Sequence, residues 1–387
     1  MEISECVKYV GVNDHQVDLF EGQYKVPNGM SYNSYVILDE KIAVMDTVDG
    51  FFTEEWLNNV EQVLSGKTPD YLIIQHMEPD HSASIPAFLK KYPNTTVVST
   101  AKGFQFMEQF FPKFFAGQGL PVEQRRIAAN DGVLELGQHS LHFIYAPMVH
   151  WPEVMMTYEA TEKILFAADG FGKFGALDVE EEWTDEARRY YIGIVGKYGP
   201  QVQAVLKKAA GLEIHTICSL HGPVLTENLV FYLEKYDKWS SYQPEESGVV
   251  IAYASVYGNT RNAAEYLADV LRENGQKTVL YDLARCDKAK AIADAFRYDR
   301  LVLAGITYNG DLFPCMRGFI EGLTERNYQN RKVAVIENGT WAPMAGKLIL
   351  GMFEKSKNLT FAENTVSIKS AMNAQNREEI KKLAEEL

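Results

Sequence analysis

The chain alternates short apolar runs with amphipathic stretches, and the texture of this alternation changes near residue 240. Before that point, runs of four to six mainly apolar residues predict strands at 35–38, 42–45, 71–75, 96–100, 141–146, 154–158 and 164–168. Helical stretches are predicted near 52–65, 82–91, 102–111, 183–209 and 226–239. Mixed strands with helices between them favour an αββα sandwich, in which helices cover two packed sheets.

Beyond residue 248 the alternation of strands and helices becomes regular. Residues 249–253 form a nearly continuous apolar run, which is typical of a parallel strand buried on both faces. A helical pattern follows at 260–274, and four further strands are predicted near 277–281, 300–305, 332–336 and 364–368. Five strands separated by helices predict a doubly wound, flavodoxin-like unit with a five-stranded parallel sheet.

The polar segment 240–248 separates these two regions and is predicted to be a linker. We therefore predict one domain over 1–245 and a second over 246–387. The chain has 387 residues with 46% hydrophobic content, which is enough for two hydrophobic cores.

One short string, His76-Met77-Glu78-Pro79-Asp80-His81, directly follows the apolar run 71–74 and is rich in potential metal ligands. In an extended segment His76, Glu78 and Asp80 point to the same side, and a turn then brings in His81. Buried carboxylates without a counter-charge are very costly. A bound cation at the end of this strand is the simplest explanation of the cluster.

Three further ligand candidates each close an apolar run downstream. They are His150, Asp169 and His221, and a Gly-Pro pair that turns the chain follows His221. Three other histidines are expected at the surface or in ordinary hydrogen bonds: His15, His139 and His142. His215 begins the strand that leads to His221. We expect it, like Tyr32, to contact the metal ligands from behind at most and not to bind a metal itself.

The order of these motifs resembles the metallo-β-lactamase superfamily: an HxExDH string, then His-Trp-Pro at 150–152, Ala-Asp-Gly at 168–170 and His-Gly-Pro at 221–223. The zinc hydrolases of that superfamily usually carry HxHxDH. Glu78 at the second position is typical of the flavodiiron proteins, which the whole chain resembles. A carboxylate in place of an imidazole hardens the site, and oxygen-rich ligand sets with some histidine suit iron.

This resemblance implies a role for each ligand. One iron would be bound by His76, Glu78 and His150, the other by Asp80, His81 and His221, and Asp169 would bridge the two. We expect no catalytic residue beyond these ligands.

A second site is predicted in the flavodoxin-like region. The loop Ser255-Val256-Tyr257-Gly258-Asn259-Thr260 lies between the first strand and a helix, where backbone N–H groups and the helix N-terminus bind a phosphate. The loop contains no lysine, which distinguishes it from an ATP-type P-loop. It is similar to the phosphate loop of flavodoxins, and its candidate cofactor-binding residues are Ser255, Tyr257, Gly258, Asn259 and Thr260.

Two more loops are expected at the same carboxyl edge of the sheet. Their candidate cofactor-binding residues are Thr307, Tyr308, Asn309, Gly310, Asn338, Gly339, Thr340 and Trp341. The rings of Tyr308 and Trp341 would flank a flat isoalloxazine. The predicted cofactor is FMN rather than FAD, because the chain has no G-x-G-x-x-G string and no second nucleotide-sized domain.

Charge and cysteine content narrow the possible partners. A net charge of -14 makes nucleic acid an improbable partner, and the charge divides into -15 over 1–245 and +1 over 246–387. The four cysteines are scattered without a C-x-x-C string, which argues against a disulfide framework, a rubredoxin module or an iron–sulfur cluster in this sequence. A reducing cytoplasm and no membrane association are expected.

The family resemblance implies reduction of O2 to water, of NO to N2O, or both, with FMN delivering electrons to the diiron centre. It also implies a head-to-tail homodimer, or a tetramer made of two such dimers, and an outside donor such as rubredoxin. Two alternatives stay open: a dinuclear zinc hydrolase with a fused flavodoxin-like domain, and an electron carrier or redox sensor whose metal is structural. The sequence leaves the preference between O2 and NO undecided.

Overall fold

A computed structural model gives the fold and describes residues 3–115 and 120–387. The chain forms two compact units. The first extends to Tyr191 and resumes over Pro200–Asp237, and the second comprises Ile192–Gly199 and Lys238–Leu387. The division between the units lies a few residues before the predicted boundary at 245/246, and one short segment earlier in the chain also belongs to the second unit. The domain boundary at 245/246 stays a prediction.

The elements of the first unit are short. Its strands are β1 Val7–Tyr9, β2 Val12–Asp14, β3 Leu19–Phe20, β4 Tyr24–Lys25, β5 Met30–Tyr32, β6 Tyr35–Ile37, β7 Ala43–Met45, β8 Tyr71–Ile73, β9 Thr96–Ser99, β10 Arg125–Ile127, β11 Val133–Glu135, β12 Ser140–Tyr145, β13 Met155–Glu159, β14 Ile164–Phe166 and β15 Thr216–Cys218. Its helices are α1 Thr53–Leu64, α2 Pro79–Ser82, α3 Ile85–Lys91, α4 Ala101–Phe110, α5 Pro112–Phe115, α6 Trp183–Tyr190, α7 Gly199–Ala209 and α8 Leu229–Ser240, the last of which crosses the division between the units.

Two sheets pack against each other in this unit. One has the order β1-β6-β7-β8-β9-β10 and the other the order β11-β12-β13-β14-β15. Their facing side chains form one buried cluster that includes Ile37, Met45 and Ile73 from the first sheet and Phe143 and Phe166 from the second. The predicted sandwich is confirmed, because strands with one apolar face bury that face against another sheet.

The parallel part of each sheet positions the site. Strands β7 and β8 are parallel neighbours in the first sheet, and β14 and β15 are parallel neighbours in the second. The loops that follow these four strands carry Asp46, His76, Asp169 and His221. Ligands that were predicted to close apolar runs therefore emerge at the carboxyl ends of parallel strands.

The second unit is built on a parallel sheet. Its strands are β16 Glu246–Tyr253, β17 Thr278–Asp282, β18 Tyr298–Tyr308, β19 Asp311–Leu312, β20 Lys332–Asn338, β21 Thr360–Phe361 and β22 Val366–Ile368. Its helices are α9 Asn259–Glu273, α10 Lys288–Arg297, α11 Pro314–Glu325, α12 Ala345–Met352 and α13 Ala374–Glu386. The sheet order is β17-β16-β18-β20, and both β21 and β22 pair with β20. This is the predicted doubly wound arrangement.

Two segments differ from their predictions. The stretch 183–209 is helical throughout as predicted, but it is not one α-helix: α6 ends at Tyr190, a π-helical turn and a 3-10 turn follow, and α7 begins at Gly199. Gly193, Gly196 and the pair Gly199-Pro200 weaken a continuous helix there. The predicted linker 240–248 is shorter, since α8 ends at Ser240 and β16 begins at Glu246.

Within the described residues, every helix is too short or too polar to span a bilayer.

Candidate metal centre and flavin site

The seven predicted metal ligands lie together as two adjacent groups. His76, Glu78, His150 and Asp169 form one group, and Asp80, His81 and His221 form the other. Within each group the ligand atoms all lie within 4.8 Å of one another. Ligands that are as much as 145 positions apart in the sequence thus come together.

Asp169 lies between the two groups. Its Oδ2 atom is 3.2 Å from His150 Nε2 and 3.5 Å from His76 Nε2. Its Oδ1 atom is 3.3 Å from His81 Nε2 and 3.8 Å from His221 Nε2. One oxygen of this carboxylate therefore faces each group, which is the arrangement of a bridging ligand.

The inward nitrogen of each ligand histidine is Nε2, and two of the outer nitrogens have fixed partners. His76 Nδ1 lies 2.8 Å from Glu153 Oε1, and His221 Nδ1 donates to the carbonyl oxygen of Ser31 at 2.7 Å. Hydrogen bonds of this kind fix the tautomer and orientation of a metal-binding imidazole. The Nε2 atoms are left to face the space between the two groups.

Several polar atoms at this site lack partners that would make their burial tolerable. The Nε2 atoms of His81 and His221 face each other at 3.0 Å, although His221 already uses its proton on Ser31 if it is neutral. Both carboxylate oxygens of Asp80 and of Asp169 are buried without a hydrogen bond of good geometry among the described residues. Buried polar atoms are normally satisfied. Cations between these atoms would satisfy all of them, so the residues fit a dinuclear metal centre.

The electrostatics of the group around His150 point the same way. Burial lowers the pKa of His150, but the adjacent carboxylates of Asp169 and Glu78 outweigh it and raise that pKa to about 9. Burial would raise the pKa of Asp169, yet the surrounding imidazoles hold it well below its ordinary value. Without metal, protons on the imidazoles supply the positive charge that the carboxylates require, and metal binding must displace them.

Two acidic residues that support the site were missed from the sequence. The buried carboxylate of Asp46 accepts hydrogen bonds from the backbone N–H of Gln75 at 2.7 Å and of His76 at 3.3 Å, and burial raises its pKa to about 6. Glu153 binds His76 Nδ1 and also accepts from the backbone N–H of Met77 at 2.9 Å. Asp46 closes an apolar run as Asp169 does, so the same signal could have found it.

Aromatic rings surround the second group of ligands. Phe20, Tyr32 and Tyr190 have ring centroids 5.4, 6.0 and 5.4 Å from that of His221. Tyr32 thus lies behind the ligands as expected. Glu21 follows Phe20, and desolvation together with the charge of Glu78 raises the pKa of its carboxyl to about 7.

His215 is not among the grouped ligands, and it does not lie behind them either. Its side chain is 58% exposed, and its Nε2 atom lies 3.1 Å from Glu213 Oε1. His215 precedes β15 whereas His221 follows it, so the two histidines lie at opposite ends of this strand. The other three histidines have ordinary hydrogen-bond partners as predicted: Asp178 for His15, Asp39 for His139 and Ser140 for His142.

The second predicted site is an open cavity of about 490 Å³ in the flavodoxin-like unit. All thirteen predicted cofactor-binding residues except Gly258 line it. Five lining residues were not predicted: Val256, Ile306, Ala342, Met344 and Ser370. The volume lies within the range of ligand sites, roughly 300–1,000 Å³.

Gly258 adjoins this cavity and gives it its phosphate loop. Its φ of +89° is one that other residues rarely adopt, and its N–H donates to Ser255 Oγ at 3.1 Å. Helix α9 begins at the next residue, so its first N–H groups and dipole face an anion placed in the loop.

Large aromatic side chains are exposed to solvent at the cavity. Trp341 is 81% exposed and Tyr308 is 47% exposed. Exposed rings of this size at one cavity mark a ligand surface, and a flat ring system would cover them.

Two predicted binding residues mainly support the loops. Thr307 Oγ1 accepts from the backbone N–H groups of Met344 and Ala345, at 2.8 and 3.1 Å. The Asn338 side chain pairs with the backbone of Ser370 in both directions. The side chains of Thr307 and Asn338 therefore stabilise the wall of the cavity. Only the donors and acceptors that these hydrogen bonds leave free can bind a ligand.

Comparison with known proteins gives matches over both units. A family model described as "ODP family beta lactamase" matches residues 30–222, and a "Flavodoxin domain" model matches residues 250–377. An "Anaerobic nitric oxide reductase flavorubredoxin" of Vibrio vulnificus is 27% identical over 354 residues, which cover 88% of this chain and 70% of the relative.

Two solved structures cover the whole chain. The crystal structure of the flavodiiron protein from Giardia intestinalis is 26% identical, with a TM-score of 0.91 over 100% of this chain and 96% of that chain. The rubredoxin oxygen:oxidoreductase from the anaerobe Desulfovibrio gigas shares the fold, with 24% identity and a TM-score of 0.91 over the same fractions.

Proposed function

The chain belongs to the flavodiiron protein family, and from this premise we propose that it is an oxidoreductase that reduces O2 to water, NO to N2O, or both. The observation that carries the proposal is Asp169, whose two oxygens face two separate groups of ligands. A flavin-sized cavity in the second unit supports it.

We assign the ligands as the resemblance implies. His76, Glu78 and His150 would hold one iron, Asp80, His81 and His221 would hold the other, and Asp169 would be shared by the two. When bound, the irons supply the redox chemistry for O2 or NO, and FMN supplies their electrons. Glu153 and the Ser31 carbonyl orient His76 and His221, so that both present Nε2 inward. The rings of Phe20, Tyr32 and Tyr190 restrict the access of water to His221.

In the flavin site, the loop from Ser255 to Thr260 holds the phosphate through backbone N–H groups at the start of α9. Trp341 and Tyr308 would contact the isoalloxazine of a bound FMN. The remaining predicted residues of the three loops complete the wall of the cavity.

Metal and flavin analysis of the purified protein tests this function against the two alternatives. The proposal requires about two irons and about one FMN per chain, since a set of four histidines and three carboxylates suits two iron ions. A zinc hydrolase would contain zinc and show no flavin-linked turnover, and a carrier or sensor would hold redox centres without consuming O2 or NO. The names of the relatives, which are oxidoreductases, support the first of the three.

We further propose that the protein acts as a head-to-tail homodimer, or as a tetramer made of two such dimers, in which the flavin of one subunit serves the irons of the other. A mixture of two inactive variants tests this. Asp169→Ala removes the metal centre, and Asn259→Glu places a carboxylate where the phosphate binds. A glutamate at the first position of α9 is compatible with the helix, because acidic residues are favourable there.

Co-refolded or co-expressed variants should regain roughly a quarter of the wild-type activity, because about half of the dimers are mixed and each mixed dimer keeps one complete pair of sites. Neither variant alone should turn over, and Asn259→Gln, which adds length without charge, should bind FMN. If the mixture stays as inactive as its parents while mixed dimers are demonstrated by mass, electron transfer between subunits is excluded.

We propose that the donor is a small acidic carrier of the rubredoxin type that docks on the near-neutral second domain. Lys347, in the first turn of α12 beside the cavity, is exposed, and no acidic partner is found for it in the described parts of the chain. Arg317 and Arg261 are two further basic residues of this domain, but they already pair with Asp311 and Glu265. Lys347 is therefore the preferred docking residue.

Reduction of FMN by an acidic rubredoxin should therefore slow as ionic strength rises, and Lys347→Glu should slow it several-fold at low salt, because steering by charge acts on encounter. Arg317→Glu should have a smaller effect. Stopped-flow reduction of FMN measures both, and Lys355→Glu, the same charge change beyond the other end of α12, is the control. A rate that is independent of salt, or that rises with salt, would favour a small-molecule donor.

Two finer points are also proposed. We place the division between the domains at 245/246, within the segment that joins α8 to β16. We propose a cytoplasmic location, which the four free cysteines support.

A further inference from the structure

A second cluster of metal-binding side chains lies in the first unit, apart from the seven ligands. It consists of Cys6, His139 and Glu162, each of which offers one ligand atom within 4.8 Å of the other two. Glu162 precedes β14 and Asp169 follows it, so this cluster is at the opposite end of that strand from the diiron centre. Nothing in the proposed reaction uses these three residues.

His139 is already oriented as a ligand. Its Nδ1 atom lies 2.8 Å from Asp39 Oδ2, and its backbone N–H donates to the same oxygen at 2.7 Å. Nδ1 therefore carries a proton, and Nε2 is directed at Glu162 Oε1, 3.5 Å away, which is too far for a good hydrogen bond. Burial lowers the pKa of His139, but the carboxylates of Asp39, Glu159 and Glu162 outweigh it and raise that pKa, so a metal ion at Nε2 would take the place of a proton. A carboxylate behind an imidazole in this way is the usual support of a metal-binding histidine.

The burial of the three groups suits a site at the surface of the sandwich. His139 is 4% exposed, whereas Cys6 and Glu162 are only partly buried. The histidine is fixed and the other two side chains have room to adjust. A tetrahedral ion with ligand distances of about 2.0–2.3 Å needs ligand atoms roughly 3.3–3.8 Å apart. Small movements of Cys6 and Glu162 bring the observed spacing into that range.

Negative charge collects around the cluster. Desolvation raises the pKa of the Cys6 thiol, and the charges of Glu162, Asp39 and Glu5 raise it further, with Lys8 acting in the opposite direction. The carboxyl of Asp39 loses solvation on burial, but the hydrogen bonds from His139 lower its pKa to about 2. A divalent cation would compensate these charges and stabilise the thiolate.

We propose that Cys6, His139 and Glu162 bind a Zn²⁺ ion, with water as the fourth ligand. Thiolate, imidazole and carboxylate together are a zinc-type ligand set, unlike the oxygen- and nitrogen-only set of the diiron centre. Cys6 directly precedes β1 of the first sheet, and His139 and Glu162 lie in turns that join strands of the second sheet. The ion would therefore connect the two sheets of the sandwich at this end.

Cobalt substitution of the full-length protein tests the site, because a thiolate bound to Co²⁺ gives an intense charge-transfer band in the near ultraviolet. None of the seven diiron ligands is a cysteine, so the diiron centre does not contribute to the band. The wild-type protein loaded with Co²⁺ should show the band, and added Zn²⁺ should abolish it. Cys6→Ser should lack the band, whereas Cys286→Ser, a control at another partly buried thiol, should keep it.

Alkylation of the wild-type protein provides a measurement that needs no variant. Zn²⁺ should protect Cys6 from iodoacetamide, a chelator should restore its labelling, and the labelling of Cys286 and Cys315 should not change. The proposal is overturned if cobalt-loaded wild-type protein has no thiolate band, if Cys6→Ser retains it, or if Zn²⁺ leaves the labelling of Cys6 unchanged.

Discussion

Replacing Asp169 by alanine is expected to remove the diiron centre while leaving FMN in place. The two oxygens of this carboxylate face the two ligand groups, so one substitution deprives both metals of a ligand. Loss of a mere supporting partner costs a metal site about 10–100-fold in affinity, and loss of a bridging ligand should cost more. The flavin loops belong to the other unit, so the two losses should be separable.

Iron and FMN content per chain measure this directly, together with turnover of O2 and NO. Asp178→Ala is the matched control, since Asp178 is exposed and pairs with His15 in the same unit, and neither residue is one of the seven proposed ligands. The control should keep both cofactors. An Asp169→Ala protein that retains two irons and full turnover would show that the assignment as a bridge is wrong.

Glu78→His is expected to convert the centre from iron to zinc and to abolish reductase activity. Glu78 Oε2 lies 3.0 Å from His150 Nε2 and 3.2 Å from His76 Nε2, so the substitution replaces the distinctive oxygen ligand of this group by a third imidazole. A nitrogen-rich set favours zinc, and zinc has no redox chemistry. Activity should fall to the level of Asp169→Ala.

Reconstitution with equimolar iron and zinc, followed by metal analysis and turnover, tests this selectivity. Glu78→Asp keeps a carboxylate and should still prefer iron, although a shorter side chain weakens the site. Retention of iron with normal O2 or NO reduction in Glu78→His would mean that Glu78 does not select the metal.

Much of the fold could be predicted from apolar runs. Strands such as β8, β9 and β16 are buried on both faces, so their apolar residues follow one another without polar alternation. The two- and three-residue strands at the N-terminus were not predicted. β2 contains Asn13 and Asp14, and its pairing with β5 is decided by tertiary contacts rather than by its own pattern. β10, with two arginines, is another such case.

The proposed ligands could be singled out because their segments follow apolar strands, and the carboxyl ends of parallel strands meet at one edge. The residues that support the proposed ligands were harder to predict from the sequence. Glu153 contacts His76 across 77 positions, and no local pattern indicates such a contact. Cys6 lies even further in sequence from His139 and Glu162, and only the packing of the two sheets brings it to them.

The most direct test of the central claim is anaerobic stopped-flow mixing of the fully reduced protein with O2 or with NO. The account predicts that wild-type flavin is reoxidised rapidly by at least one of the two gases, and that Asp169→Ala, with its FMN intact, is reoxidised far more slowly by the same gas. Equal rates in the two proteins would contradict the account, because the reduced flavin would then react without the metal centre.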